Sequence, residues 1–418
     1  MTRSTGGGPF YGWWAILPAV FLLLLVTNGL TTGGIAAFDP TLIRELGVSR
    51  ADIKFGDLLQ LGITAVMSVL TGWLADRWGV RIVMLIGLLI LAWGFQVLAG
   101  VASLQDYYAS RLWMGTGLAG AGVAVSVVAV SRWFVLRRGL ALGIVLAGTS
   151  LGNALAPWLF TRLIGAHGWQ AAAAYGVWSL LAMIIVIAAA VREWPENLGL
   201  RPWGAAAVES VRHAPLDAAG AELGFAQILA RREFWLMGLA AFATFYAILG
   251  VNNNMILHMQ VLGVRPEIGA LIAMPLFFAG LVGKLGAGWL TDLIGRKLVW
   301  LVSIALMAVA TLGLASMSAA LVPVAAIVMG LGWGANYTLL QAVAGDIFGA
   351  RSLGRVMGAV TLLDAGGGAL GPWVTARLAD STGTYRAGFL LIGVLLAFAL
   401  ACASLLRIAT PDVQVRRA

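Results

Sequence analysis

The chain has 418 residues, of which 61% are apolar and 11% charged, and its mean hydropathy is +0.92. A soluble protein carries roughly 25% charged residues, so this composition excludes a soluble globular fold and specifies a polytopic membrane protein. The formal net charge of +9 invites a nucleic-acid partner, but Lys and Arg recur on alternate loops between apolar runs, which is a topology signal.

A spanning helix needs about 20 apolar residues. Islands of charge separate twelve such runs, at about 11–37, 52–75, 81–102, 107–130, 138–164, 169–191, 234–259, 266–290, 298–317, 321–346, 354–379 and 384–406. With the N-terminus inside, the cytoplasmic loops and tails hold 18 of the 27 Lys and Arg and the outer loops hold seven, leaving Arg111 and Lys284 within spans. This positive-inside bias places both termini in the cytoplasm. The first apolar run is too long for the core of a signal peptide and reads as the first span. The single cysteine, Cys402, lies in the last span and has no disulfide partner in the chain. Residues 192–233, with Pro195, Pro202 and Pro215 among mixed charges, form a cytoplasmic linker between six-span halves at 1–191 and 234–418; an amphipathic helix is expected near 222–233.

The halves repeat each other. Gly72-Trp73-Leu74-Ala75-Asp76-Arg77-Trp78-Gly79-Val80-Arg81 recurs, 216 positions on, as Gly288-Trp289-Leu290-Thr291-Asp292-Leu293-Ile294-Gly295-Arg296-Lys297. Leu46-Gly47-Val48 recurs as Leu262-Gly263-Val264 at the same spacing. Gly115-x-Gly117 matches Gly330-x-Gly332, Pro157-Trp158 matches Pro372-Trp373, and Gly168 matches Gly383, each 215 apart. The expected fold is therefore an all-α integral membrane protein of twelve helices in two six-helix parallel repeats, an architecture of transporters.

These loops resemble the signatures that the major facilitator superfamily carries between spans 2 and 3 and between spans 8 and 9, and Arg111-x-x-x-Gly115-x-Gly117-x-Ala119 resembles its span 4 motif. Within it, Tyr11-Gly12-Trp13-Trp14 and the run from Arg132-Trp133-Phe134 to Gly143 are similar to the monocarboxylate transporters and the oxalate:formate antiporter family. The resemblance covers the whole chain. It implies a secondary carrier working by rocker-switch alternating access, with spans 1, 4, 7 and 10 lining its cavity.

The two glycine-rich loops read as a cytoplasmic gate. Asp76 and Asp292 end spans 2 and 8, where a carboxylate meets arginines and helix N-termini. Arg77, Arg81 and Arg296 supply cations, while Gly72, Gly79, Gly288 and Gly295 allow tight turns and close helix approach. Leu293 stands where the first copy has Arg77, which predicts a weaker second latch.

Lys284 lies eight residues before Asp292, roughly 12 Å along the helix axis, inside an otherwise apolar run. The cost of such a cation is on the order of 2.5–3.5 kcal/mol by insertion scales, so it is expected to face a wet, polar place. The resembling families commonly carry an arginine here that contacts the substrate carboxylate. A lysine is a point charge without a bidentate grip, which argues against a dicarboxylate such as oxalate. Its counterpart in the first half is Ser68. Asp364, in span 11, is the other conspicuous intramembrane charge. An empty carrier is expected to pair Lys284 with Asp364; an arriving carboxylate then takes the lysine, and Asp364, buried without its cation, takes a proton. Arg111 is a candidate for proton coupling or for support of its helix. Lys54 and Asp57 read as a solvated i,i+3 neighbourhood at the outer start of span 2.

Trp333, Tyr337 and Gln341 share one face of span 10 at i, i+4 and i+8. Asn28, with Thr31 and Thr32, lies in a glycine-rich part of span 1 where the helix could loosen. Tyr246, Asn252, Asn253, Asn254 and His258 make the corresponding polar patch in span 7. The substrate-binding set is thus Lys284, Asn28, Tyr246, Asn252, Trp333, Tyr337 and Gln341.

The three histidines have no ligand spacing, there is no Gly-x-x-x-x-Gly-Lys-Ser/Thr phosphate loop, and no nucleophile–base set is evident. Neither metal, nucleotide nor cofactor is called for, and enzymatic activity is not expected. The reading is a monomeric carrier of a small monocarboxylate coupled to a proton, in a bacterial inner membrane. A proton-driven exporter of organic compounds and a carboxylate exchanger remain the alternatives.

Overall fold

The computed structural model describes residues 10–134, 137–204, 224–348 and 353–406; the tail at 1–9 and linker residues 205–223 lie outside the described residues. Twelve long helices follow one another among the described residues: α1 Gly12–Ala37, α2 Arg50–Trp78, α3 Val80–Ala99, α4 Leu104–Trp133, α5 Arg138–His167, α6 Trp169–Ala190, α7 Arg232–Val261, α8 Pro266–Ile294, α9 Arg296–Ala315, α10 Val322–Phe348, α11 Leu353–Thr382 and α12 Arg386–Leu405. A bilayer offers no water to a backbone amide, so spanning segments must close their hydrogen bonds within a helix.

Eleven of these are long and apolar enough to cross a membrane. The remaining one, α11, has the length of a span, but Asp364, Gly366, Gly367, Gly368, Gly371 and Pro372 dilute its apolar character. Before α7 there is only a five-residue turn of helix, Phe225–Leu229, where a longer amphipathic helix was expected.

Local chemistry sets several ends. Ser103 and Asp106 form a reciprocal capping box at the start of α4: the Asp106 amide donates to Ser103 Oγ at 3.2 Å and the Ser103 amide to Asp106 Oδ2 at 2.9 Å. Within α1 the chain widens into π turns at Gly12–Ile16 and Gly29–Gly33 and tightens into a 3₁₀ turn at Gly34–Ala37. The glycine-rich stretch beside Asn28 is therefore where the regular helix yields.

Two compact units make up the chain, Met1–Val48 with Leu59–Pro215 and Ser49–Leu58 with Leu216–Ala418. In the first, α1 packs on α5 and α3 packs against both α4 and α6; in the second, α7 packs on α11 and α9 packs against both α10 and α12. The pairings are the same, shifted by six helices. The turns repeat as well. Gly47 and Gly263 (φ +64° and +78°), Gly79 and Gly295 (+93° and +85°), and Gly168 and Gly383 (+83° and +76°) hold left-handed backbone that glycine adopts without penalty. The first two pairs are 216 residues apart and the third 215, so the sequence repeat is also a conformational one.

Gly115 and Gly330 show what the span 4 and span 10 glycines do. A Cβ on Gly115 would run into the Gln60 carbonyl of α2, and one on Gly330 into the Leu276 carbonyl of α8. In each case helices meet backbone to backbone, the small-residue contact that lipid-embedded bundles rely on. Hydroxyls reinforce the first contact: Thr64 donates to the Gly115 carbonyl at 2.9 Å and Thr71 to the Ala119 carbonyl at 3.1 Å.

Gly330→Ala should lower the apparent melting temperature of detergent-solubilised protein, with overpacking costing about 1–3 kcal/mol. Gly286→Ala in the neighbouring helix, where a Cβ meets nothing within 4 Å, should leave it unchanged. Equal behaviour of the two variants would refute the close contact.

Candidate functional site

Three of the seven expected binding residues, Lys284, Trp333 and Tyr337, come together in the second unit. On α10, Trp333 and Tyr337 stand one turn apart with ring centroids 5.6 Å from each other. Phe245 of α7 packs edge-on against Trp333 at 4.7 Å and lies 6.1 Å from Tyr337. The Lys284 ammonium of α8 sits 5.6 Å from the Tyr337 ring centroid, within cation–π range. Asp364 of α11 is buried and within electrostatic reach of Tyr337. Tyr337 thus has the Lys284 ammonium near its ring and the Asp364 carboxylate within electrostatic reach, with Trp333 and Phe245 packed beside it. Gln341, one turn further along α10, is exposed.

The α7 patch divides its labour. Tyr246 is buried, and its hydroxyl has no hydrogen-bond partner among the described residues. Asn254 turns to the backbone, donating to the Gly250 carbonyl at 2.9 Å and the Pro372 carbonyl at 3.1 Å, so it joins α7 to α11. His258 packs edge-on against Phe389 at 4.8 Å and Tyr385 at 5.7 Å. Asn252 and Asn253 continue into the start of α2: Asn252 Nδ2 donates to Asn253 Oδ1 at 2.9 Å, and Asn253 Nδ2 donates to Asp57 Oδ2 at 3.0 Å. That carboxylate also lies 3.5 Å from Lys54 Nζ, with the two side chains 7% and 1% exposed. The expectation of a solvated pair at Lys54 and Asp57 is therefore wrong. Their i,i+3 spacing is right, but both are buried, and breaking such a pair costs about 3–5 kcal/mol.

Asn28 and Arg111 belong to the first unit. Asn28 Nδ2 is enclosed without a hydrogen-bond partner among the described residues, beside the π turn of α1. Arg111 is 1% exposed, with its guanidinium 6.0 Å from the Tyr107 ring.

At the end of α2, Asp76 is 83% exposed and lies 3.8 Å from Arg132 of α4. An exposed pair of this kind contributes about 0–1 kcal/mol. The stronger centre is Glu193, just after α6, which reading the sequence overlooked. Its carboxylate accepts from the backbone amides of Val80 at 2.8 Å and Arg81 at 3.3 Å, capping α3, and forms an ion pair with Arg132. Arg132 in turn lies 4.4 Å from the Trp194 ring. Arg81 donates its side chain to the Ala188 carbonyl, while Arg77 stacks over Trp73 at 5.5 Å. Gly72 has open space around it, and Gly79 supplies the left-handed turn. In the second unit Gly295 makes the same turn and Arg296 forms an ion pair with Asp346 of α10. Gly288 and Asp292 lie within α8 but outside the residues whose side chains are described. Glu193 was detectable as a rare acid beside arginines at a span end; Asp346 likewise.

The Tyr11-Gly12-Trp13-Trp14 and Arg132-Trp133-Phe134 motifs meet. The Tyr11 hydroxyl donates to the Ala190 carbonyl at 2.8 Å, Trp133 Nε1 donates to the Arg192 carbonyl at 3.1 Å, and Trp203 stacks on Phe10 at 5.1 Å. Together they fasten the first residues of the linker to the start of α1 and the C-terminal ends of α4 and α6.

The model of the Major Facilitator Superfamily matches residues 20–286 and 262–418. The chain belongs to the major facilitator superfamily. It is similar to human monocarboxylate transporter 11, 28% identical over 95% of this chain and 83% of that protein. It is also similar to the oxalate:formate antiporter of Oxalobacter formigenes, 26% identical over 95% of this chain and 93% of that one. The fold matches a bacterial homologue of the human lysosomal transporter Spinster, solved in an inward-facing and occupied conformation, with a TM-score of 0.74 at 16% identity over 96% and 97% of the two chains. As a major facilitator protein the chain is a multi-pass membrane transporter and not an enzyme, related to monocarboxylate and oxalate:formate carriers.

Glu193→Ala leaves two amides of α3 uncapped and Arg132 without its main carboxylate. The expected loss is on the order of 2–3 kcal/mol, read as a lower melting temperature, whereas Asp76→Ala should cost less than about 1 kcal/mol. The reverse order would show that Asp76, rather than Glu193, holds this end together.

Proposed function

We propose that this superfamily member carries a small monocarboxylate together with a proton, by rocker-switch alternating access, across a bacterial inner membrane with both termini in the cytoplasm. The observation that carries the reading is Tyr337 with the Lys284 ammonium near its ring and Asp364 within electrostatic reach. One cation against aromatic faces suits one carboxylate and a short apolar body. A sugar calls for many hydroxyl partners, and a dicarboxylate for a second cation or a bidentate arginine. The relatives named above, monocarboxylate transporter 11 and the oxalate:formate antiporter, support the same class of substrate.

In this mechanism the substrate carboxylate draws the Lys284 ammonium away from the Tyr337 face. Asp364, left in an apolar setting with less positive charge near it, takes up a proton. Anion and proton therefore load together. Trp333 and Phe245 hold the apolar part of the substrate, and Asn252, Tyr246, Asn28 and Gln341 supply polar contacts. Arg111, enclosed beside Tyr107, supports α4 and the field around the proton site. Asp76, Arg77, Arg81, Asp292 and Arg296, with the glycines Gly72, Gly79, Gly288 and Gly295, form the cytoplasmic gate. The substrate route needs no partner protein, and the carrier works as a monomer.

Uptake of labelled lactate, pyruvate, formate and oxalate into proteoliposomes tests the reading. Gradient-stimulated uptake of monocarboxylates is expected, with oxalate poorly carried. Removing the cation that a buried carboxylate depends on costs about 2–5 kcal/mol, so Lys284→Ala should reduce uptake at least about 30-fold. Asp364→Asn should abolish stimulation by the proton gradient while anion exchange persists. Gradient-insensitive uptake driven by internal anion in the parent protein would make the carrier an exchanger, and movement of none of the four acids by folded protein would remove the monocarboxylate assignment.

A further inference from the structure

The buried chain from Asn252 through Asn253 to Asp57 has a direction, and the direction has a chemical consequence. A carboxylate held against an ammonium is ionised and only accepts hydrogen bonds. With Lys54 3.5 Å from Asp57 Oδ2, the group that reaches that oxygen from Asn253 must be its Nδ2. Asn253 is then left with Oδ1 as its remaining hydrogen-bonding end toward its neighbour, and this oxygen accepts from Asn252 Nδ2. The chain consumes the amide nitrogen side of Asn252 and leaves its carbonyl oxygen outside the chain. An amide would otherwise turn over freely to suit whatever it meets; here a charge two links away fixes it.

We infer that Asp57 is a positioning residue that sets the polarity of the Asn252–Asn253 pair, so that Asn252 offers the substrate a hydrogen-bond acceptor and the carrier prefers 2-hydroxy acids over 2-oxo acids. The inference rests on the reading that Asn252 contacts the substrate. A 2-hydroxyl group donates to Asn252 Oδ1. A 2-oxo group has no proton to give and sets oxygen against oxygen. A site built to satisfy a hydroxyl discriminates strongly against the analogue lacking one, because its own polar atom is then left unmet. The buried Lys54–Asp57 pair acquires a purpose: a carboxylate set 3.5 Å from an ammonium accepts hydrogen bonds, and this enforces the direction of the chain. Neither residue needs to touch the substrate.

The test compares lactate with pyruvate in proteoliposomes, reading KM and maximal rate for each. The parent protein should show a KM for lactate at least about 5-fold below that for pyruvate, since a hydroxyl-matched polar contact is worth that much discrimination or more. Asp57→Asn alone strands Lys54 and is at risk of misfolding, so the informative variant is K54M/D57N, which removes both charges and allows the amide chain to run either way. It should remain monodisperse and keep its maximal rates, while the lactate-to-pyruvate preference falls to within about 2-fold. D57N/N253D moves the carboxylate one link along; Asn252 Nδ2 again donates to a carboxylate, and the preference should return. A folded K54M/D57N that keeps the parent's preference overturns the positioning role, as does a D57N/N253D that fails to restore it. Asn252→Ala separates the two levels. If it leaves both KM values unchanged, Asn252 is not in the substrate site and that part of the proposed lining fails. If it raises them while K54M/D57N behaves as the parent does, the lining stands and the role of Asp57 alone is refuted.

Discussion

A lysine ammonium within an apolar spanning helix is the constraint around which the second unit is arranged. Left against hydrocarbon, Lys284 costs several kcal/mol, and a helix carrying it would be drawn toward the interface. Instead its ammonium lies on the face of Tyr337, which gives back part of the lost hydration through the ring quadrupole without neutralising the charge. The neighbouring packing follows: Trp333 lies beside Tyr337, Phe245 packs against both, and Asp364 is within electrostatic reach of Tyr337.

The asparagines of α7 obey the same rule by another route. A buried amide must be satisfied, and each one spends its hydrogen bonds differently. Asn254 gives them to backbone carbonyls and becomes part of the α7–α11 contact. Asn253 gives its nitrogen to Asp57 and its oxygen to Asn252. Asn252 keeps its carbonyl oxygen outside this chain, and Asn254 Oδ1 is enclosed without a hydrogen-bond partner among the described residues. Three identical residues in a row therefore have three different jobs, assigned by what each meets on the neighbouring elements.

The sequence carried the fold well because its signals are local and redundant: twelve apolar runs, alternating basic loops, and a repeat that returns even in the signs of the backbone angles at Gly47, Gly79 and Gly168 and their counterparts. It carried the charge centre in part. Lys284, Asp364 and the Trp333–Tyr337 stripe stand out as polar or aromatic residues at helical spacing in apolar surroundings. What it did not carry is pairing across distance. Lys54 and Asp57 have the i,i+3 spacing of any exposed pair, and nothing local says that Asn253, 196 residues after Asp57, buries them. Glu193 stands out in the sequence only as an acid beside arginine at a span end; that it meets the amides of Val80 and Arg81 is visible only in the fold. Gln341 continues the α10 stripe in sequence yet is exposed where Trp333 and Tyr337 are partly covered, since a helical period defines a face and not how far the neighbours cover it.

The two units share a backbone plan and differ in chemistry, and that difference is where function resides. The positive-φ turns match in pairs, and Gly115 and Gly330 both press a helix against a neighbour's carbonyl. Charges do not match. Lys284 stands where the first unit has Ser68. Near the C-terminal end of α4 the cation Arg132 meets an acid after α6, whereas near the C-terminal end of α10 the acid Asp346 meets the cation Arg296 at the start of α9. Duplicated helices preserve whatever fixes backbone approach, because a Cβ or a wrong turn there is a steric fault with no local remedy. Charged side chains at helix ends and on inward faces are free to diverge so long as each finds a partner.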